Sequence, residues 1–227
     1  MLHGSTFFCM AISLFGYEAG IFLRKKLKIG IFNPLLVSIV FVIIVLKVTG
    51  IDYDTYDKGA NVLSYLLTPS TVCLAIPLYQ QMNLLKKNLK AIIAGITTGV
   101  FVSLAGVWVF SMLFHLKKQF YVTLLPKSIT TAIGMGISEE LGGIVTITVA
   151  VIIITGVLGN MIAEVVYKIA KIEEPIARGL GLGTSAHAIG TAKAMELGPV
   201  EGAMSSLAIA VAGLLTVVGA SVFAGMM

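Results

Sequence analysis

The chain has 227 residues, of which 57% are hydrophobic and only 12% are charged, with a formal net charge of +5. Soluble domains carry about 25% charged residues, so this composition excludes an ordinary soluble enzyme or binding module. The cations cluster in short segments such as 24–28, which the positive-inside rule explains better than contact with nucleic acid. We therefore expect one integral membrane domain over 1–227, in contact with a lipid bilayer and with no nucleic acid.

Apolar stretches of about 20 residues, long enough to cross a bilayer as helices, follow one another along the chain. They predict an all-α, polytopic transmembrane fold with about seven or eight membrane segments. The predicted helices cover 5–23, 31–49, 61–82, 89–115, 120–137, 143–170, 176–196 and 202–226. If every segment crosses, the basic segments 24–28 and 86–90 lie on the cytoplasmic side, and both chain termini lie outside. The lysine pair at 117–118 opposes this orientation.

Three hydroxyl-rich stretches, 67–77, 124–134 and 181–190, are poor helices within the apolar sequence. Each contains an Ala-Ile pair followed by Pro or Gly, and the pairs are spaced by 57 and then 56 residues. The recurrence predicts internal repeats of one interrupted element and one complete helix. Re-entrant interruptions would make adjacent copies inverted, whereas crossing ones, which the charge distribution favours, would make them parallel. The expected helix breaks are Pro69, Pro77, Pro126, Gly134, Gly183 and Gly190.

Interrupted helices within a membrane predict a substrate pathway. Every backbone N–H and C=O in hydrocarbon needs a partner, so broken helices are tolerated only inside protein or beside a water-filled cavity. Transporters use such breaks to direct the positive ends of half-helices at anionic groups. Repeated breaks with flanking hydroxyls therefore favour a transporter whose substrate is a small carboxylate.

The polar side chains at the second and third breaks are the candidate substrate ligands. They are Lys127, Ser128, Thr131, Thr184, Ser185, His187, Thr191 and Lys193. The hydroxyls would donate hydrogen bonds to the anion, and Lys127 or Lys193 would provide positive potential. The alternative for Lys127 is an interfacial lysine. For Lys193, an ion pair with a carboxylate and extension to the headgroups are equally compatible with the sequence.

His187 and Glu139 are the candidates for proton or ion coupling. The alternative for His187 is a packed imidazole whose hydrogen bonds are satisfied by a neighbouring helix. Glu164 lies four residues before Lys168, and this spacing predicts an ion pair along one helix.

The sequence contains no HExxH, GxSxG, P-loop or CxxC motif. No spacing of His, Asp and Glu is typical of a metal site. We therefore expect neither catalytic residues nor a cofactor nor a metal. The energy for transport would come from an ion gradient, from the gradient of the substrate or from a separate partner.

Three blocks resemble the CidB/LrgB family of antiholin-like bacterial membrane proteins: PKSITTAIG at 126–134, SEELGG at 138–143 and GLGTSAHAIGTAK at 181–193. The resemblance covers nearly the whole chain. It implies a multi-pass protein of the bacterial inner (plasma) membrane with a small holin-like membrane protein as its partner. It also implies relatives in chloroplasts that transport glycolate and glycerate, and bacterial pairs linked to pyruvate uptake.

Two functions are therefore open. The first is a transporter of small monocarboxylates such as pyruvate or glycolate, coupled to protons. The alternative is an antiholin-like regulator of murein hydrolase activity and cell lysis that acts with the holin-like partner. That role needs helix faces of small residues for assembly, for which 156–159 and 213–219 are candidates, and we expect a homo-oligomer.

Overall fold

The structure is a computed structural model that describes residues 5–27 and 33–227, and within them every regular element is an α-helix. Among these residues, five stretches are long and apolar enough to cross a membrane: Thr6–Leu27, Tyr53–Gln80, Met82–Leu113, Val145–Ile169 and Pro199–Ala224. The predicted all-α membrane fold is thus confirmed, while the number of seven or eight segments and the internal repeats remain predictions. The chain separates into two compact units, Met1–Cys73 and Leu74–Met227.

The first unit contains α1 (Thr6–Leu27), α2 (Pro34–Thr49), α3 (Tyr53–Tyr65) and α4 (Leu67–Cys73). Helices α1 and α2 approach closely at Gly20, which has no side chain. A methyl group at this position would lie 2.7 Å from the Cα of Pro34. Asp52 caps the N-terminus of α3: its carboxylate accepts from the hydroxyl of Thr55 at 2.6 Å and from the N–H of Thr55 at 3.1 Å. These bonds hold the pKa of Asp52 below its usual value.

The first predicted interruption is wrong, because Pro69 lies inside α4 and Pro77 inside α5 (Ala75–Gln80). Each proline is the third residue of its helix, where its N–H would have no acceptor within the helix anyway. The joints at Leu66 (φ −74°, ψ −12°) and Leu74 (φ −63°, ψ −19°) keep right-handed helical dihedral angles. The stretch therefore continues as successive helices.

The second unit comprises α5, α6 (Met82–Leu113), α7 (Lys118–Leu124), α8 (Thr131–Glu140), α9 (Val145–Ile169), α10 (Pro175–Leu197) and α11 (Pro199–Ala224). Its core includes a seam between α6 and α11, to which α6 contributes apolar residues every three or four positions, the period of a helix face. The seam contains Ile92, Ile96, Val100, Leu104 and Val107 from α6, and Ala203, Met204, Ala208, Ala212 and Ala220 from α11.

Helix α10 turns back on itself at His187, whose φ of 42° and ψ of −136° lie outside the helical region. The half before His187 runs antiparallel to α9, starting beside the C-terminal end of α9. There the hydroxyl of Tyr167 donates to the carbonyl of Arg178 at 2.7 Å, and further along Ala186 packs against Gly159. The tip of the turn therefore lies beside the middle of α9.

The half after His187 returns along the same helix. The side-chain amide of Asn160 donates to the carbonyl of Ile189 at 3.0 Å, and Lys193 forms an ion pair with Glu164. At the end of this half, Leu197 packs in one cluster with Tyr167. Tyr167 is also the residue that contacts the start of the first half, through Arg178. Both ends of α10 thus lie at the same end of α9, so this segment is a re-entrant hairpin.

Helices α7 and α8 form a second hairpin at the other end of α9. Thr123 of α7 accepts from the N–H of Ile144 at 2.8 Å, and its carbonyl accepts from the hydroxyl of Thr148 at 2.9 Å. That hydroxyl also bonds Ser138 near the end of α8, at 2.7 Å. Both arms therefore contact the first turns of α9, and residues 125–130 form the tip, which contains Pro126.

The two hairpins enter from opposite ends of α9 and both reach Ile152. Gly134 of α8 packs against its side chain, and His187 bonds its carbonyl oxygen. Of the two alternatives that the sequence left open, the second and third interruptions are re-entrant, so the preference for crossing was wrong.

The glycines expected to break these two hairpins lie inside helices instead. Gly134 lies in α8, whereas Gly183 and Gly190 lie on either side of the turn in α10. They permit close packing: a methyl group at Gly183 would lie 2.6 Å from the Cβ of Ala208, and one at Gly190 would lie 2.6 Å from the carbonyl oxygen of Leu182. The breaks themselves fall at 125–130 and at His187.

Candidate functional site

A cavity of about 1270 Å³ lies between α6, the tip of the α7–α8 hairpin and the first half of α10. It extends along α6 from Asn88 to Ser111, which are 23 residues apart, or roughly 35 Å at 1.5 Å per residue. This length matches the ~30 Å hydrocarbon core of a bilayer. Its polar lining residues include Thr98, Ser103, Ser111, Lys127, Ser128, Glu174, Thr184 and Ser185.

Small residues on α6 bring this helix close to the first half of α10. A methyl group at Gly99 would lie 2.9 Å from the hydroxyl oxygen of Thr184, and one at Gly95 would lie 3.2 Å from a methyl group of Leu180. The hydroxyls of the α10 hairpin therefore lie against α6, on one wall of the cavity.

Ser128 at the tip of the α7–α8 hairpin is the centre of a small polar cluster. Its hydroxyl oxygen accepts from the hydroxyl of Ser103 at 3.0 Å and from the ammonium of Lys127 at 2.9 Å. A hydroxyl has two acceptor lone pairs and one hydrogen, so the lone pairs of Ser128 are occupied and only its hydrogen remains. Ser128 is 6% exposed, and among the described residues no acceptor takes that hydrogen.

Lys127 also has unused hydrogen-bonding capacity, because two of its three N–H groups make no bond to a described residue. No described carboxylate lies within ion-pair distance of it. Lys127 and Ser128 thus present only donors to the cavity, together with one positive charge. Such a donor pole suits a ligand group that only accepts, such as a carboxylate. We use the name donor pole for these two residues below.

Thr184 and Ser185 also line the cavity, but their hydrogens are used within α10. The hydroxyl of Thr184 donates to the carbonyl of Leu180 at 2.8 Å, and that of Ser185 donates to the carbonyl of Gly181 at 2.6 Å. In this conformation they offer lone pairs to the cavity, so they complement a hydroxyl on the ligand better than its carboxylate.

His187 does not line the cavity, although it lies only two residues beyond Ser185. It is 3% exposed, and its Nε2 lies 3.0 Å from the carbonyl oxygen of Ile152. Because a carbonyl can only accept, Nε2 carries a hydrogen. The arrangement is that of a packed imidazole satisfied by a neighbouring helix, positioned at the tip of the α10 hairpin.

Thr191 and Lys193 lie on the returning half of α10, away from the cavity. The hydroxyl of Thr191 donates to the carbonyl of His187 at 3.1 Å and lies 2.7 Å from the hydroxyl of Ser205. Lys193 is 5% exposed and forms ion pairs with Glu164 and, at 3.3 Å, with Glu196. Of the two alternatives for Lys193, the structure therefore has the ion pair.

Thr131 and Glu139 of α8 are also absent from the cavity lining; Thr131 is partly buried and Glu139 is exposed. The structure thus brings together Lys127, Ser128, Thr184 and Ser185, and leaves the other four predicted ligands outside. Within 5–27 and 33–227, no group of three or more His, Cys, Asp and Glu side chains could hold a metal ion.

Sequence reasoning missed Thr98, Ser103 and Ser111, the hydroxyls that α6 contributes to the cavity. The available signal was a series of small residues every four positions, Gly95, Gly99 and Ser103, within an apolar helix. Such a series marks a face where another element approaches closely.

Comparisons with known proteins agree over nearly the whole chain. Residues 13–226 match the LrgB-like family. A relative named antiholin-like protein LrgB, from Bacillus subtilis (strain 168), is 38% identical over 220 residues, which cover 96% of this chain and 95% of the relative. No solved structure matches the chain.

Proposed function

We propose that this chain, which belongs to the LrgB-like family, transports small monocarboxylates such as pyruvate or glycolate across a bacterial plasma membrane. The observation that carries the proposal is the donor pole of Lys127 and Ser128 in a cavity between the hairpins. A carboxylate there accepts from the free N–H groups of Lys127 and from the hydroxyl of Ser128. Charge-assisted bonds of this kind are stronger than neutral ones.

The charge of the cavity lining supports a ligand with a single negative charge. Among the described residues that line the cavity, Lys127 is the one cation and Glu174 the one acid. A second carboxylate on the ligand would find no cation of its own, and burying an unpaired charge is costly.

The opposed hairpins provide a route for alternating access. Because α7–α8 and α10 enter from opposite ends of α9, movement of one hairpin opens the site toward one side of the membrane, and movement of the other opens it toward the opposite side. The end at which α10 enters carries Lys168, Lys171 and Arg178, so we assign it to the cytoplasm. Counting both hairpins and the shorter α2 with the five long apolar stretches, we expect eight membrane segments within the described residues.

His187 is the preferred candidate for proton coupling. Its imidazole is buried at the tip of the α10 hairpin, so that a proton there would add a charge between α9 and α10 and alter their packing. Glu139 is exposed on α8 and outside the cavity lining, so it is the weaker candidate.

The second candidate function is an antiholin-like regulator of murein hydrolase activity and cell lysis, acting with a holin-like membrane partner. The comparisons support it more directly than transport, because the relative is named an antiholin-like protein and its name mentions no carboxylate.

The glycine faces expected to assemble oligomers are occupied within the chain. Gly156 and Gly159 pack against the α10 hairpin, Gly213 packs against Ile133, and Gly219 against Leu104. A partner or a second copy must therefore bind elsewhere, and both remain part of this second proposal.

Uptake by purified protein in liposomes separates the two functions. We expect labelled pyruvate and glycolate to accumulate above the level of empty liposomes. We expect Lys127→Gln to reduce the initial rate about tenfold or more, since it removes the charge from the donor pole. Lys86→Ala, an exposed lysine of α6 outside the cavity lining, is the matched control. Uptake equal to that of empty liposomes, with a holin-like partner also reconstituted, would leave the regulator as the function.

A further inference from the structure

Helix α6 carries a row of small residues along the cavity, and a neighbouring element covers only part of this row. Gly95, Gly99, Ser103 and Gly106 follow one another at intervals of three or four residues, so they lie on one face of the helix. The first half of α10 packs on Gly95 and Gly99, where an added methyl group would lie 3.2 and 2.9 Å from side-chain atoms of α10. At Gly106 an added methyl group would meet no described atom within 4 Å. The row is therefore open at Gly106.

The open position is next to the donor pole. Ser103, whose hydroxyl bonds Ser128, precedes Gly106 by three residues, or roughly 4.5 Å along the helix axis. Gly106 and both residues of the donor pole line the same cavity. A ligand whose carboxylate binds Lys127 and Ser128 can therefore extend its remaining atoms into the space at Gly106.

The cavity lining beyond Gly106 is mostly apolar. The apolar residues of this part are Val107, Phe110 and Phe114, together with Leu116 and Leu124. Ser111 is the polar residue that α6 adds here, but it is only 1% exposed and so contributes little polar surface. The whole cavity, about 1270 Å³, exceeds the ~300–1,000 Å³ pockets that hold drug-sized ligands. Pyruvate or glycolate would leave these walls uncovered, whereas a larger apolar group would cover them.

We propose that the preferred substrates are 2-oxo or 2-hydroxy monocarboxylates with an apolar side chain, and that Gly106 provides the space for that side chain. The inference rests on the proposed transport function and specifies its substrate class, of which pyruvate and glycolate are the smallest members. The carboxylate binds Lys127 and Ser128, and the side chain lies across Gly106 against the apolar walls. Each methylene group that is buried there increases the affinity up to about fourfold.

Two ligands that differ only in the side chain test this preference. 4-Methyl-2-oxopentanoate is pyruvate with an isopropyl group added to its methyl carbon, so both acids present the same carboxylate and ketone. We would measure how each displaces labelled pyruvate from the purified protein, with neutral 4-methylpentan-2-one as the control for the apolar group alone. We expect the larger acid to bind about tenfold or more tightly than pyruvate, and the neutral ketone not to compete.

Gly106→Leu tests where the side chain of the ligand lies. The added isobutyl group would fill the open space, so the ratio of the two affinities should fall to about one. Gly136→Leu is the matched control, because a methyl group at Gly136 also meets no atom within 4 Å and this residue of α8 is outside the cavity lining. It should keep the ratio of the unaltered protein. Gly106→Ala should lower the ratio in part, and it decides the question if Gly106→Leu does not fold.

Equal affinities of the unaltered protein for the two acids would overturn the preference. Competition by the neutral ketone as strong as that of the larger acid would do the same, because the cavity would then accept any apolar molecule. A ratio that stays unchanged in both Gly106→Leu and Gly106→Ala would overturn the role of Gly106. Each of these results leaves the transport function standing, whereas no saturable binding of either acid would contradict the transport function itself.

Discussion

The imidazole Nε2–H of His187 donates to the main-chain oxygen of Ile152 at 3.0 Å. Through this bond the tip of the α10 hairpin is attached to the middle of α9, at the residue that also contacts the α7–α8 hairpin through Gly134. Ile152 is thus where the two re-entrant elements meet. Substitutions at these contacts should therefore displace the hairpin tips more than they disturb the rest of the fold.

Replacing His187 tests this attachment and the coupling role together. We expect His187→Ala to lower the thermal midpoint by a few degrees, since it removes one hydrogen bond of ~1 kcal/mol and leaves a space in a buried site. His187→Gln, which keeps a donor, should retain more stability. If His187 carries the coupled proton, uptake by His187→Gln should no longer vary between about pH 5 and 8. Wild-type pH dependence in this variant would remove His187 from the coupling mechanism.

The contact between α9 and the hairpin tip leaves no room for a side chain at Gly156. A methyl group there would lie 2.7 Å from Cε1 of His187 and 2.9 Å from Cδ1 of Ile189. We therefore expect Gly156→Ala to displace the tip and reduce uptake strongly. Gly136→Ala in α8 is the matched control, because a methyl group at Gly136 would meet no atom within 4 Å. Equal uptake by the two variants would show that the tip tolerates displacement.

The ion pair between Lys193 and Glu164 attaches the returning half of α10 to α9. Lys193 is buried but Glu164 is mostly exposed, so we expect Lys193→Ala to cost more than the ~1 kcal/mol of a surface pair and less than the ~3–5 kcal/mol of a fully buried one. Thermal unfolding in detergent measures the loss. The double variant Lys193→Glu with Glu164→Lys should recover part of the loss. No recovery would argue that the pairing of Lys193 with Glu164 does not itself stabilise the protein.

The re-entrant path of α10 is testable by cysteine labelling. Glu173 precedes the hairpin, and Glu196 lies in its last turn. With Cys9 and Cys73 replaced by serine, Glu173→Cys and Glu196→Cys should both react with a membrane-impermeant maleimide from the same side. A crossing helix would place them on opposite sides, and that pattern would contradict the hairpin.

The sequence predicted where the membrane path is interrupted, but not how the chain continues there. Hydroxyls beside Pro126 and near Gly183 correctly marked two tips that carry polar groups into one cavity. A glycine that breaks a helix and a glycine that admits a neighbouring helix look alike in a sequence, which is why Gly183 and Gly190 were misassigned. Their role depends on Ala208 of α11 and Leu182 of the opposite arm, and these contacts exist only in the folded chain.

The same reason explains the misplaced ligands. Thr184, His187 and Thr191 share one face of a continuous helix, but the left-handed backbone at His187 separates them. Lys193 could be recognised as a cation within an apolar segment, whereas its partner Glu164 is 29 residues away and faces it only because α10 folds back.

Equilibrium binding of labelled pyruvate to the purified protein tests the central claim most directly, because it requires neither a gradient nor a partner. The account predicts saturable binding that glycolate displaces, that Lys127→Gln weakens about tenfold or more, and that Ser128→Ala weakens less. Lys86→Ala should bind as the unaltered protein does. Equal binding by Lys127→Gln and Lys86→Ala, or no saturable binding by the unaltered protein, would contradict a carboxylate site at the hairpin tips.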